Sequence, residues 1–286
     1  MKRLLQIELK KAFSNKLFWI TLALGLLIVS ISAAQNIGRY FWSLEAKQLQ
    51  KELLGEGAYN PLYPLSALYN NWIGADYAAP MTSLYYILLP LLASLAYGWS
   101  YFTEKKSGYV KNVVTRIDKK KYYLSKYIAV FLAGGAVVAI PLLVNVLAVA
   151  CVVPAYQPDM FYGMYYAMSY HYMIRLFFSM PVLYVAYVLV LDFVFAGLIA
   201  TLSLALTFFV NNRFAVVLLP MLFFMWVQYM QDLARQTFPF ISPFSPQEFL
   251  KAYGRSTLIW VVVWGIGLLV VTLGIVYGKG AKDDVF

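Results

Sequence analysis

Six long apolar runs alternate with polar or mixed stretches along the chain, at 17–35, 81–102, 127–153, 182–210, 214–230 and 257–277. A helix needs roughly 20 mainly apolar residues to cross a bilayer, so each run reads as a span, the fifth a short one. Between the second and third lies a basic block, Thr103 to Lys126, flanked by charge-free sequence from Tyr77 to Phe102 and from Tyr127 to Pro158. A basic loop held between two spans belongs on the cytoplasmic side. The pattern predicts one all-α domain over 1–286, a polytopic membrane protein with six transmembrane helices and both termini cytoplasmic.

The shorter stretches predict further elements. In 1–15, Leu5, Leu9 and Phe13 share a helical face with Leu4 beside them, while Lys2, Arg3, Lys10 and Lys11 supply charge. This predicts an amphipathic interface helix lying at the inner headgroups. The outer segment 36–80 contains a short helix, Ser43 to Leu54, stopped at Gly55. Pro154 to Arg175, rich in Tyr and Met, reads as an outer loop with an interfacial helix. The second outer segment, 231–256, carries Pro239, Pro243 and Pro246. Ser245, Pro246 and Glu248 there have the order of a cap, a first-turn proline and a first-turn acid, which predicts a short helix dipping back toward the outer leaflet.

The stretch Leu176 to Val210 has 35 residues and one charge, Asp192. As a single helix it would measure roughly 50 Å, more than a hydrocarbon core of roughly 30 Å. A bend at Pro181 leaves one span. Splitting the stretch into two gives a seventh, and charge does not choose: both arrangements put sixteen of the 23 Lys and Arg on the cytoplasmic side. No tight polar turn follows Pro181, which favours six.

Composition agrees with the pattern. Of 286 residues 62% are hydrophobic and 13% charged, against roughly 25% charged in soluble domains. The net charge of +10 clusters beside apolar spans, which points to anionic headgroups or an acidic partner surface rather than nucleic acid. Cys151 is the single cysteine and reads as packing; His171 is the single histidine and reads as interfacial packing. Neither an intramolecular disulfide nor a multi-histidine metal site can be built. No GxxxxGK[ST] phosphate loop is present and no soluble catalytic domain fits between the spans.

Candidate chemistry lies in three places. The basic block predicts a helix from Glu104 to Thr115, with Gly108 as its weak point; fixed between two spans, it can transmit movement from a cytoplasmic partner. Asp192 is the one acid deep in a span, and is expected to face the bundle, pair with a polar group or become protonated. Its readings are a structural or gating group, a substrate contact, or the coupling site of a proton-driven transporter. Phe223, Phe224, Met225 and Trp226 include residues suited to an apolar pathway, or to lipid contact and core packing.

The segment Glu104 to Tyr127, EKKSGYVKNVVTRIDKKKYYLSKY, resembles the permease subunit of type-2 ABC exporters. That family has an acidic residue, a glycine a few positions later, a Thr-or-Ser/Arg/Pro element and a downstream Tyr and Ser-or-Gly/Lys pair. Thr115, Arg116, Tyr122, Ser125 and Lys126 fit it, while Ile117 stands where proline is usual. The amphipathic start, six spans and Pro-rich segment before the last span extend the resemblance over nearly the whole chain. It implies a coupling helix at Glu104 to Thr115, with Glu104, Lys105, Lys106, Gly108, Lys111, Thr115 and Arg116 at an ATPase surface, and an interface helix at Leu4 to Phe13. It also implies two copies of a separate ATPase subunit that binds ATP and Mg, a second permease copy as homodimer or close homologue, and efflux of a peptide or lipidic substrate across a bacterial plasma membrane. Catalytic, cofactor and metal residues are expected to be absent from the chain itself. The other readings are a proton-coupled secondary transporter using Asp192 and a non-transporting membrane scaffold or sensor partner.

Overall fold

The computed structural model describes residues 2–55, 67–76, 79–158, 171–238, 240–254 and 257–282. Helix α1, Lys2–Phe13, buries Leu4, Glu8 and Ala12, residues one turn apart on a single face. Leu5, Leu9 and Phe13 flank that face half-buried, so the packed side of the amphipathic helix is rotated toward Leu4 and carries an acid at its centre. The Asn15 side chain accepts from the Leu17 amide at 3.1 Å and starts α2, Lys16–Leu54. The exposed Trp19 indole donates to the Phe13 carbonyl at 2.8 Å, which ties α1 to α2.

Helix α2 runs 39 residues without a break. At 1.5 Å per residue it is about 58 Å long, nearly twice the hydrocarbon thickness. The separate helix expected at Ser43 to Leu54 is therefore the continuation of the first span. Nothing between Asn36 and Ser43 interrupts helical backbone except Gly38, which a helix tolerates. The stop at Gly55 stands, with φ at 74°.

Helix α3, Pro80–Tyr97, turns at Gly98 and Trp99 into α4, Ser100–Lys106, and α5, Tyr109–Val114, follows. The single helix expected from Glu104 to Thr115 is thus two short helices. Gly108 adopts a left-handed φ of 75° between them, a conformation glycine takes without a Cβ clash. The third span is likewise longer than its apolar run. Helix α6, Lys119–Ala150, begins inside the basic block with the Asp118 side chain accepting from the Lys120 amide at 3.0 Å.

The interfacial helix expected within Pro154 to Arg175 falls largely on 159–170, outside the described residues. His171 is buried. It precedes α7, Ile174–Ser179, and α8, Pro181–Leu206, is one uninterrupted helix, so the 176–210 stretch makes one span. Helix α9, Arg213–Thr237, starts on the Asn212 side chain and continues a further two turns beyond its apolar run. The short helix α10, Pro246–Phe249, begins at the expected proline, but the Ser245 hydroxyl does not cap it; the Ser245 carbonyl accepts from the Glu248 amide at 3.1 Å instead. Helix α11, Leu258–Lys282, is the last. Cys151 is exposed at the end of α6, so the packing role expected of it does not hold.

The chain is an all-α, multi-pass membrane protein. Among the described residues six helices are long and apolar enough to cross a membrane, and no β-strand occurs. Helices α6 and α8 form the most extensive pair. A Cβ added to Gly134 of α6 would come within 2.3 Å of the Ala200 Cβ of α8, so glycine there sets how closely the two axes approach. Helices α2 and α3 pack on α6, while α9 and α11 lie at the periphery with most of their apolar side chains facing outward. Such faces suit lipid.

Polar side chains cross-link the core. The Tyr127 and Thr272 hydroxyls meet at 2.8 Å, joining α6 to α11. Asn145 of α6 donates to the Val29 carbonyl of α2 at 2.7 Å and accepts from the Ile73 amide at 2.8 Å.

Candidate functional site

Where α1, α4 and α6 converge, four charged side chains form a closed ring. Lys126 Nζ lies 3.0 Å from Glu8 Oε2 and 2.8 Å from Glu104 Oε2. Lys11 Nζ lies 3.1 Å from Glu8 Oε1 and 3.2 Å from Glu104 Oε1. Each carboxylate therefore gives one oxygen to each ammonium, and the charges alternate around the ring and sum to zero. Glu8 and Lys126 are wholly buried, Glu104 nearly so, and Lys11 is partly open.

Local sequence places each member. Glu8 lies one turn from both Leu4 and Ala12, so packing that face carries the carboxylate inward. Lys126 lies one turn after Tyr122 on the buried face of α6. Glu104 follows the buried Tyr101 and Phe102 on α4.

Tyrosines complete the coordination. The Tyr122 hydroxyl donates to Glu104 Oε2 at 2.6 Å. The Tyr97 hydroxyl accepts from Lys126 at 3.1 Å and donates to Glu8 Oε2 at 3.2 Å. Lys11 Nζ lies 3.8 Å from the centre of the Tyr109 ring. Burial works to lower the Lys11 pKa, but the Tyr109 contact and the two carboxylates outweigh it, and the net shift is upward. The ammonium is held charged.

Taking such ions out of water costs several kcal/mol each, so the ring is weak evidence for net stability. Its effect is to fix geometry: α1 cannot leave α4 and α6 without uncovering unpaired buried charge. Around it the surface is basic. Lys105, Lys106, Lys111, Thr115 and Arg116 are exposed on α4, α5 and the turn after them, and Lys10 is exposed on α1. Thus Glu104 turns into the bundle while the other predicted coupling side chains face outward, with Gly108 as the bend between them.

The remaining candidates lie elsewhere. Asp192 is buried in α8 about 20 Å of helix from that helix's C-terminal end, where its Oδ2 accepts from the Tyr86 hydroxyl at 3.2 Å. Phe224 is buried, with its ring centre 5.8 Å from that of Trp264. Phe223, Met225 and Trp226 are exposed on the periphery of α9. The structure brings neither Asp192 nor the α9 aromatics to the charged ring.

Sequence reading missed Glu8 and Lys11 as ring members and Tyr97 as their hydrogen-bond partner, and singled out Lys126 only through the family resemblance. One signal was present: Glu8 interrupts the Leu4–Ala12 face. Among the described residues no group of three or more His, Cys, Asp or Glu could hold a metal ion. Comparison with known protein families, curated proteins and solved structures found no match.

Proposed function

We propose that the chain is the membrane-spanning subunit of an ATP-driven exporter, and that it couples hydrolysis by a separate ATPase subunit to efflux of a hydrophobic or amphipathic substrate. The observation that carries this reading is the buried ring joining α1, α4 and α6 beneath an exposed basic surface. A partner that binds that surface and moves with its nucleotide state displaces three helices together, because the ring resists their separation. Force then passes from α4 into α3 and from α1 into α2, the two spans continuous with them. The resemblance of Glu104 to Tyr127 to type-2 ABC exporter permeases supports the same assignment, and the basic end is then cytoplasmic.

In this reading two permease copies and two ATPase subunits enclose a pathway, and ATP and Mg bind in the partner. The apolar periphery of α9 suits a peptide or lipidic substrate. The test is transport into inverted membrane vesicles that contain the chain and its ATPase. Labelled amphipathic peptide should accumulate with ATP and not with a non-hydrolysable analogue. Accumulation driven by an imposed proton gradient, with no nucleotide, would instead assign the chain to secondary transport.

A further inference from the structure

Helix α2 presents an apolar stripe that lipid covers for only part of its length. Ile20, Leu24, Ile31, Trp42, Leu49 and Leu53 are all exposed, and at 3.6 residues per turn they fall within about 60° of one another. The buried Phe18, Val29 and Asn36 lie on the other side of the helix, against the bundle. Hydrocarbon accounts for about 20 residues from Lys16 onward. Asn36, which donates to the Asn71 carbonyl, and Arg39, which pairs with Asp76, mark where it ends. Tyr40 is the last apolar side chain of α2 packed against the core.

With the basic end cytoplasmic, the remainder of α2 stands in the outer aqueous phase for about 20 Å. Trp42 is close enough to the boundary to serve as an interfacial anchor. Leu49 and Leu53, 56% and 74% exposed, lie about 10 and 16 Å further out, beyond the reach of acyl chains. Ala46 continues the stripe between them, and Gly38 lies on it nearer the membrane. A Cβ on Gly38 would meet nothing within 4 Å. The bundle therefore makes no use of that glycine, whereas a second helix packed there would approach closely.

The extent of the stripe selects its partner. Lipid matches the membrane part and a soluble protein the outer part; a protein that spans the membrane and rises as far beyond it matches both. A second copy has that form, and insertion in the same orientation sets its α2 parallel to the first. Identical stripes then meet at equal heights across a two-fold axis. Charge favours this pairing. Lys47 and Lys51 lie on the far side of the helix, while Glu45 and Glu52 border one edge of the stripe. The two-fold axis sets that acidic edge against the opposite edge, Ser43 and Gln50, so the acids do not meet. A strip about 50 Å long and roughly 10 Å wide gives about 1,000 Å² over two copies, the size a specific interface should reach.

We propose that α2 pairs in parallel with α2 of a second copy along this stripe, a contact that continues beyond the outer membrane surface. The inference rests on the proposed function for the presence of two permease copies and assigns the surface that joins them. Inside the hydrocarbon such a contact gains little from burial, because lipid is as apolar as leucine. Trp42, Leu49 and Leu53 leave water, so they carry most of the association.

The test is disulfide formation between single cysteines in membranes that contain the full chain and no ATPase. Cys151→Ser first removes the one native thiol. Trp42→Cys, Ala46→Cys, Leu49→Cys and Leu53→Cys are compared with Leu44→Cys, Lys47→Cys and Lys51→Cys on the far side. A disulfide requires Cα atoms about 4.4–6.8 Å apart, so under mild oxidant the first four should give dimer and the others several-fold less. Light scattering in mild detergent should find wild type dimeric and the double variant Leu49→Glu, Leu53→Glu monomeric but folded. A dimer that cross-links equally at all seven positions, or chiefly at the last three, overturns the inference and leaves the two-copy exporter standing. So does a double variant that stays dimeric. A chain that is monomeric and uncross-linked overturns both the contact and the two-copy arrangement.

Discussion

Lys126 of α6 and Glu8 of α1, 118 residues apart in sequence, meet at 3.0 Å with neither side chain exposed. Replacing Lys126 with Met leaves Glu8 and Glu104 to share Lys11 and gives the ring a net negative charge. Breaking a buried pair costs about 3–5 kcal/mol, so Lys126→Met should unfold at markedly lower temperature in mild detergent. Adding Glu8→Leu restores neutrality with Lys11 and Glu104. The double variant should lose less than the sum of the two single changes, and a thermal double-mutant cycle measures the difference.

Gly108 tests the bend separately from packing. A Cβ there would meet nothing within 4 Å, but φ is +75°. Gly108→Ala should therefore cost about 1–2 kcal/mol through backbone conformation alone. Chemical unfolding of the variant checks this. A stabilised variant would mean that α4 and α5 can join into one helix at no cost.

Gly134 and Gly274 separate helix contact from helix propensity. At Gly134 an added methyl collides with Ala200, whereas at Gly274 it meets open space. Gly134→Ala should destabilise by about 1–3 kcal/mol. Gly274→Ala should be neutral or stabilise by up to about 1 kcal/mol, as alanine is the better helix former. Paired thermal melts in one detergent give the comparison.

His171 carries the clearest pH dependence. Burial lowers its pKa from 6.5 to about 4, and its Nδ1 accepts from the Met173 amide at 3.1 Å, which requires that nitrogen to be unprotonated. Between those two values the unfolded chain binds more protons than the folded one. Its contribution to stability is therefore full above pH 6.5, declines as pH falls to about 4 and then levels off. The total is on the order of 3 kcal/mol. His171→Asn, whose amide oxygen can take over the acceptor role, should flatten that part of the profile of Tm against pH.

The spans were legible because membrane crossing demands long apolar runs almost free of charge, and 81–102 and 127–153 carry none at all. Gly55 and Pro246 were legible because local backbone chemistry stops or starts a helix at those residue types. What hydropathy concealed was helix beyond the membrane: α2 and α6 continue into polar sequence because nothing there breaks them. The charged ring was hidden for a different reason. The family resemblance sets Lys126 apart from Lys120 and Lys121, but that Lys126 pairs with two acids shows only in contacts across 22 and 118 residues. Asp192 was visible as an anomaly, but its hydrogen bond from Tyr86, 106 residues away, is a tertiary fact. Residue types marked the basic block as a surface, yet burial decides that Glu104 belongs to the ring and Lys111 to the exterior.

The coupling role of the basic end is tested most directly by co-purification in mild detergent with candidate ATPases from the same cell. Wild type is compared with a variant carrying Lys105→Glu, Lys106→Glu and Lys111→Glu. These side chains are exposed and lie outside the ring, so the variant should fold and elute as wild type does. The account predicts that an ATPase accompanies wild type and is lost from the variant. An ATPase retained equally by both, or none with intact wild type, would contradict it.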